Sequence, residues 1–318
     1  MELRSLGKNG PQVSVVGLGC NNFGGRLDAE GSSRVVAKAI DLGITLFDNA
    51  DIYGGRGYNN YGGAEEHLGM ALGSRRKDIV LATKFGMQMG EPGKRGASRA
   101  YIMSAVEDSL RRLRTDWIDL YQVHTPDAQT PIEETLRALD DLVKQGKVRY
   151  IGCSNFSAAQ VNEAMAISKR AGLASFVSSQ DEYSILERGV ESDPLPAVKA
   201  HGLGLLPYFP LASGLLTGKY KRNAPPPKGA RLSGPGLSGR YLVADNWAIV
   251  EKLEAFCAPR GKTLLQLAFA WLLAHDYVPS VIAGATSPEQ IEQNVAAATS
   301  WKLTVAEKAE VDRIATKT

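Results

Sequence analysis

Along most of the chain, short apolar runs alternate with longer stretches in which apolar residues recur every three or four positions. A short apolar run reads as a buried strand, and the longer periodic stretch as an amphipathic helix packed on it. The opening residues, 3–16, break this rhythm. There Lys8, Asn9, Gly10 and Pro11 form a turn signal between two short strands, which predicts a hairpin cap. The repeating pattern then predicts strands at 13–18, 45–48, 79–83, 118–123, 148–153, 176–180, 204–208 and 281–283. Helices are expected near 31–41, 64–72, 98–112, 158–169, 194–201 and 288–298. Another lies between Pro131 at its start and Gly146 just past its end, where capping preferences put such residues. An irregular Gly-, Pro- and Ser-rich segment, 210–245, precedes helices at 247–258 and 264–275. Eight strand–helix units with right-handed crossovers predict one (β/α)8 TIM barrel domain over 1–318 with an N-terminal β-hairpin cap; pattern alone leaves an open doubly wound sheet as the alternative.

Composition narrows the function. The chain has 318 residues, 44% hydrophobic and 22% charged, enough to bury a large core without staples. Its 37 Lys and Arg against 34 Asp and Glu leave a formal charge of +3, which argues against nucleic acid or an anionic membrane as partner. The three cysteines, Cys20, Cys153 and Cys257, are scattered without CxxC spacing, so a disulfide framework or cysteine-based zinc site is not expected. The N-terminal residues lack the apolar core of a signal peptide, and the most apolar stretch, 264–274, is too short to span a bilayer. A soluble cytoplasmic protein is expected.

In barrels of this type chemistry sits at the C-terminal ends of the strands. Those ends carry Asp48, Tyr53, Lys84 and His124 after three successive strands, then Ser154, Asn155, Gln180, Tyr208 and the 284–286 stretch. A phenol has an ordinary pKa near 10; a neighbouring ammonium lowers it, and a carboxylate keeps the ammonium charged. A histidine beside them can orient a carbonyl oxygen. The set suits protonation of an oxygen that is gaining negative charge. Singly, each residue reads more readily as a surface tyrosine, an ion pair or a core histidine; only their joint placement reverses this in favour of chemistry.

Six segments carry a resemblance: GITLFDNADIYG at 43–54, LATK at 81–84, DLYQVH at 119–124, IGCSNF at 151–156, PLASGLLTGKY at 210–220 and GATSPEQ at 284–290. In order and spacing the chain resembles the aldo-keto reductases, in style the bacterial members similar to potassium-channel β subunits. The resemblance implies reduction of an aldehyde or ketone without metal, with NADPH as cofactor and NADH as the alternative. It implies Tyr53 as proton donor, Lys84 and Asp48 depressing its pKa, and His124 orienting the carbonyl. Ser154, Asn155 and Gln180 would hold the nicotinamide carboxamide, and Tyr208 would stack on the ring. Cys20, Asn21 and the backbone of Phe209, Pro210, Leu211, Ala212 and Ser213 would meet ribose and pyrophosphate. Gly284, Ala285, Thr286, Gln290 and Asn294 would meet the adenosine end. Many relatives carry a basic residue there for the 2′-phosphate; here that stretch is uncharged, with the Thr286 and Ser287 hydroxyls and helix-terminal N–H groups left to receive phosphate. Lys219, Lys221, Arg222, Lys228 and Arg231 of the long loop read first as a solvated basic loop and only second as a substitute charge. Asn22, Phe23, Tyr58, Phe85, Met87 and Phe156, in or beside rim loops, would line the substrate pocket.

Rival readings explain less. Residues 17–22 resemble a dinucleotide-binding GxGxxG, but Asn22 stands where the third glycine belongs. His67, His124, His201 and His275 show neither HxH nor HExxH spacing, so no metal site is expected. Asp181 and Glu182 lack an evident partner carboxylate for glycoside hydrolysis. The alternative of a different class is a regulatory or binding subunit that senses the nicotinamide cofactor and turns over slowly.

Overall fold

A computed structural model describes residues 1–55, 57, 59–234 and 236–316. Strands β1 (Leu3–Ser5) and β2 (Gln12–Ser14) pair antiparallel as a hairpin. Eight parallel strands follow: β3 (Val16–Gly19), β4 (Leu46–Asp48), β5 (Val80–Phe85), β6 (Ile118–Val123), β7 (Val148–Ser154), β8 (Phe176–Glu182), β9 (Gly204–Tyr208) and β10 (Val281–Gly284). They lie in the order β10-β3-β4-β5-β6-β7-β8-β9. The ends approach one another, with the Leu205 N–H donating to the Tyr277 carbonyl just ahead of β10 at 2.8 Å. This is a (β/α)8 TIM barrel.

The helices are α1 (Ala29–Asp41), α2 (Gly63–Leu72), α3 (Arg99–Leu113), α4 (Ile132–Lys144), α5 (Ala158–Ala171), α6 (Leu195–His201), α7 (Leu237–Tyr241), α8 (Ala244–Cys257), α9 (Leu264–Leu273), α10 (Pro288–Thr299) and α11 (Val305–Ile314). Local chemistry starts several of them. Ser157, Thr263 and Thr304 cap α5, α9 and α11, each accepting from the N–H three residues on, while a Gln or Glu there returns a bond to the cap. Among the described residues no helix is long and apolar enough to cross a membrane.

Three stretches depart from the pattern read along the sequence, one being α7, a short helix inside the 210–245 segment expected to be irregular. Val13 belongs to the hairpin, not to the first barrel strand, which begins at Val16. Ser14 intervenes: its backbone N–H donates to Thr45 Oγ1 at 2.8 Å, and its hydroxyl accepts from the Thr45 N–H and donates to the Val16 carbonyl. A C-terminal helix, α11, was not expected. Its apolar face is thin, Val311 being its one buried residue.

Two apolar layers divide the work. Most of the core lies between the strands and the helices. A smaller cluster fills the barrel interior: Leu46, Ala82, Leu120, Val177, Leu206 and Ile282 from the strands, closed from below by Leu6 and Val13 of the hairpin segment. Because side chains alternate along a strand, the residue two places beyond each interior apolar one shares its face. Leu46 is followed by Asp48, Ala82 by Lys84, Leu120 by Gln122 and Leu206 by Tyr208. The interior is therefore apolar at its floor and polar at the C-terminal mouth.

Leu6 is completely buried in this floor. Leu6→Ala should destabilise the protein by about 3 kcal/mol through lost burial and a residual cavity, read as a lower midpoint of urea unfolding.

Candidate active site

Asp48 and Lys84 meet inside the barrel mouth. Lys84, completely buried, donates from Nζ to Asp48 Oδ1, Asp48 Oδ2 and the Asn49 carbonyl, each at 2.8 Å. All three ammonium donors are thus satisfied. Asp48 Oδ1 also accepts from Gln180 Nε2 at 2.9 Å and Gln122 Nε2 at 3.4 Å. Burial pulls the Lys84 pKa down, but Asp48 and Tyr53 outweigh it and the net direction is upward, so the ammonium stays charged.

Tyr53 is half-buried in the loop after β4, its ring centroid 5.1 Å from Lys84 Nζ. Across it stands His124, ring centroids 5.9 Å apart and planes at 84°. Burial is the largest influence on the phenol and raises its pKa; Lys84 lowers it, and Asp48 raises it again. The net direction is up. This corrects the expectation that Lys84 and Asp48 together depress it: the lysine pulls as expected, but the carboxylate and the loss of water pull the other way.

Opposite this cluster, the end of β7 is held by side chains. Ser154 Oγ donates to the Gln180 carbonyl at 2.6 Å. Asn155, in the left-handed region with φ 61°, donates from Nδ2 to the His124 carbonyl and to Ser154 Oγ, and accepts from the Tyr208 hydroxyl at 2.9 Å. Gln180 is committed to Asp48.

The loop after β9 is unusual backbone. Phe209, Ala212 and Ser213 have φ of 49°, 48° and 54°, followed by Gly214 at 97°. Each non-glycine residue held there costs on the order of 1 kcal/mol or more, and such strain concentrates at ligand sites. Leu211, at φ −103°, precedes left-handed Ala212, and such a right-to-left step makes a concavity of backbone N–H groups that accepts anions, although the Ala212 and Gly214 N–H groups themselves donate to the Phe209 and Leu211 carbonyls. Three cations gather around this loop. The Arg231 guanidinium lies 5.0 Å over the Phe209 ring; a Cβ on Gly214 would stand 3.2 Å from Lys219 Nζ; and an Arg26 guanidinium donates to the Gly229 carbonyl. Among the described residues none of the three has a carboxylate within ion-pair distance. Burial and the Arg26 charge lower the pKa of both Lys219 and Arg231. Lys221 and Arg222, by contrast, pair with Glu254 and Glu251 at 3.5 and 3.2 Å.

Asn21 and Asn22 lie beside Gly284 at the end of β10, where Asn22 Nδ2 donates to the Ala285 carbonyl at 3.1 Å. The buried Oδ1 of Asn21 has no hydrogen-bond partner among the described residues. Thr286 donates its N–H to Gln290 Oε1 at 2.8 Å at the start of α10, and Asn294 is buried one turn further on. Cys20 is completely buried, which pushes its thiol well up and leaves it unreactive.

The residues expected to line a substrate pocket are scattered. Phe23 and Phe85 are completely buried among strands and helices, with Phe85 tilted against Tyr121 at 4.7 Å, and present no surface to a ligand. Phe156 is 4% exposed and meets Phe176 edge-on. Met87 is half-buried at the rim, and Tyr58 lies outside the described residues. Sequence reasoning missed Gln122 and Arg26. Gln122 was legible, two places past Leu120 on the inner face; nothing near Arg26 in sequence signals its partners in the 209–231 loop.

A family model for the aldo/keto reductases matches residues 15–316. The chain belongs to the aldo/keto reductase family. It is 39% identical over 304 residues to a probable voltage-gated potassium channel subunit beta of Arabidopsis thaliana, covering 93% of this chain and 91% of the relative. It is 33% identical over 323 residues to the L-glyceraldehyde 3-phosphate reductase of Escherichia coli K12, covering 98% and 92%. An uncharacterized oxidoreductase of Bacillus subtilis, YrpG, is 37% identical over 306 residues, covering 93% and 91%. Membership supports an oxidoreductase of small carbonyl compounds that uses a nicotinamide cofactor.

Lys84→Met would leave the Asp48 carboxylate buried without its cation, at a cost of about 3–5 kcal/mol at neutral pH. The sign with pH follows from the raised folded-state pKa. The stabilisation is complete below the ordinary lysine value of 10.5 and is lost as pH rises through the higher folded value. The gap in urea midpoint between wild type and K84M should therefore stay constant from pH 7 to about 10 and begin to narrow only above 10.5.

Proposed function

We propose that the chain reduces an aldehyde or ketone to an alcohol with NADPH as cofactor, Tyr53 donating the proton. The observation that carries this reading is the buried Lys84–Asp48 pair set against the Tyr53 phenol, with His124 facing the same ring. The raised phenol pKa keeps Tyr53 protonated at neutral pH. It can surrender that proton only to an oxygen that is becoming strongly basic, and Lys84 is at hand to stabilise the phenolate left behind. His124 would donate to the carbonyl oxygen and fix its angle to Tyr53. Asp48 acts by holding Lys84 charged and in place.

The residues at the mouth fit a dinucleotide. Strained N–H groups at 209–214 and the unpaired charges of Lys219, Arg231 and Arg26 suit its phosphates. The orphaned Asn21 Oδ1 and the start of α10 suit its adenosine end. Asn155 and Ser154 would hold the carboxamide, and Tyr208 would lie against the ring. When bound, the nicotinamide supplies a hydride to the carbonyl carbon. The cations of the 209–231 loop stand in for the charge missing beside Thr286, which favours NADPH over NADH. Three buried, unpaired cysteines suit a reducing cytoplasm.

The likeness to the plant channel β subunits supports a second reading, a cofactor-binding subunit with slow turnover. Turnover separates the two: a reductase should reach about 1 s⁻¹ or more on a good carbonyl. Tyr53→Phe should lower kcat by about 10²–10⁴-fold while NADPH still binds in a fluorescence titration; near-normal turnover would remove Tyr53 as the acid. Arg231→Ala should weaken NADPH about tenfold or more and weaken NADH less; equal losses would assign Arg231 to the phosphates common to both.

A further inference from the structure

Asp181 is a buried carboxylate that the proposed mechanism does not use. It sits on β8, 5% exposed, beside the Gln180 that contacts Asp48. Its two oxygens have separate duties. Oδ2 accepts from the Ser179 hydroxyl at 2.6 Å, and Oδ1 accepts the backbone N–H of Asn155 at 3.1 Å. That N–H belongs to the residue whose side chain bridges His124, Ser154 and Tyr208 from a left-handed backbone. The N–H is shared with the Gln180 carbonyl at a longer 3.3 Å. The Gln180 bond is the last of the β7–β8 ladder and the longer of the two, so the carboxylate supplies the nearer constraint on this left-handed residue.

We infer that Asp181 is a positioning residue: its carboxylate clamps the Asn155 backbone in the left-handed conformation that aims the Asn155 side chain at the nicotinamide carboxamide, and so sets cofactor affinity. This rests on the cofactor reading of the preceding subsection. Asp181 does not touch the barrel interior itself. It opens instead onto an outer crevice of about 410 Å³, lined also by Phe156, Glu187, Asp193 and Arg240, through which a proton can reach it.

The clamp carries a pH dependence. Burial raises the Asp181 pKa to about 6, against the pull of its two hydrogen bonds, and Asp193 pushes it further up. The other ionisable groups around it are Cys153 on β7, Tyr208 on β9, and Glu182, Glu187 and Arg240 at the crevice; Arg240 is engaged by Glu182 at 2.7 Å. Above pH 6 the bond to Asn155 is charge-assisted; below it, an ordinary neutral bond of about half the strength remains. Cofactor should therefore bind more tightly above pH 6 and itself lower the Asp181 pKa. The same raised pKa makes the carboxylate a burden to the fold. The folded state is favoured while Asp181 is protonated, and that advantage is lost as pH rises through 6.

The test measures NADPH and NADH affinity by fluorescence, and melting temperature, for wild type, Asp181→Asn and Asp181→Ala from pH 5 to 8. The asparagine keeps a neutral acceptor for the Asn155 N–H. D181N should bind both cofactors about threefold more weakly than wild type at pH 8 and equally at pH 5, while melting no lower than wild type at pH 8. D181A should bind about tenfold more weakly at pH 8. A merely structural role predicts the reverse for D181N, a lower melting temperature with unaltered affinity. Using both nucleotides removes the 2′-phosphate, which titrates near the same pH, as the source of the difference. Cofactor binding that neither variant alters, in protein that melts normally, overturns the clamp alone. Wild type that binds neither nucleotide overturns the cofactor reading and the clamp with it.

Discussion

The Lys84–Asp48 pair inside the barrel mouth constrains nearly everything around it. Removing both charges from water costs several kcal/mol per ion, and mutual attraction offsets this only when every remaining donor and acceptor is served. Here the service is complete on the lysine side, with two carboxylate oxygens and the Asn49 carbonyl at one distance. On the aspartate side it draws in Gln180 and Gln122 from β8 and β6. Residues from four strands, β4, β5, β6 and β8, are thereby fixed around one charge pair. The floor beneath them must be apolar and closed, which is what Leu6 and Val13 of the hairpin segment accomplish with the interior strand residues.

This arrangement gives Asp48 two opposed effects on Tyr53. Directly, its negative charge makes the phenol harder to ionise; indirectly, it keeps a cation beside the phenol that makes ionisation easier. With burial added, the balance leaves a protonated tyrosine in front of a charged lysine. Under the proposed reaction, that is the resting state suited to an acid required only when a substrate oxygen gains charge. A tyrosine already driven towards phenolate would have no proton to give.

The period-two alternation makes much of this legible in the sequence. Every barrel strand was readable to within a few residues, and so were the four side chains at the mouth. Once Lys84 is placed on the inner face, Phe85 beside it must face the helices, so its burial away from any ligand follows from the same rule that positions the lysine. Phe23 obeys no such rule, since it lies in a loop that folds back on the core. Three other features lay beyond the sequence pattern. The Val13 hairpin pairing depends on a Ser14–Thr45 contact across thirty-one residues. α11 carries too thin an apolar face to announce itself. The upward direction of the Tyr53 pKa is set by how much water the folded mouth excludes, and composition does not report that.

The left-handed residues at the mouth complete the logic. Phe209, Ala212, Ser213 and Asn155 all hold backbone angles that isolated residues of their kind avoid. The first three precede Leu215 and Leu216, both almost completely buried, and the Leu216 N–H ties the turn by donating to the Leu211 carbonyl. Asn155 is pinned by hydrogen bonds on both its backbone and its side chain. In each case a fold held together elsewhere imposes the strained angle. Strain placed there is cheap for a barrel whose floor and shell supply the stability. For the proposed cofactor, polar groups held this way in advance would lose less freedom on binding. The charges follow the same economy: Lys219, Arg231 and Arg26 repel one another around the strained loop, and an anion bound among them would relieve that repulsion as well as pair with it.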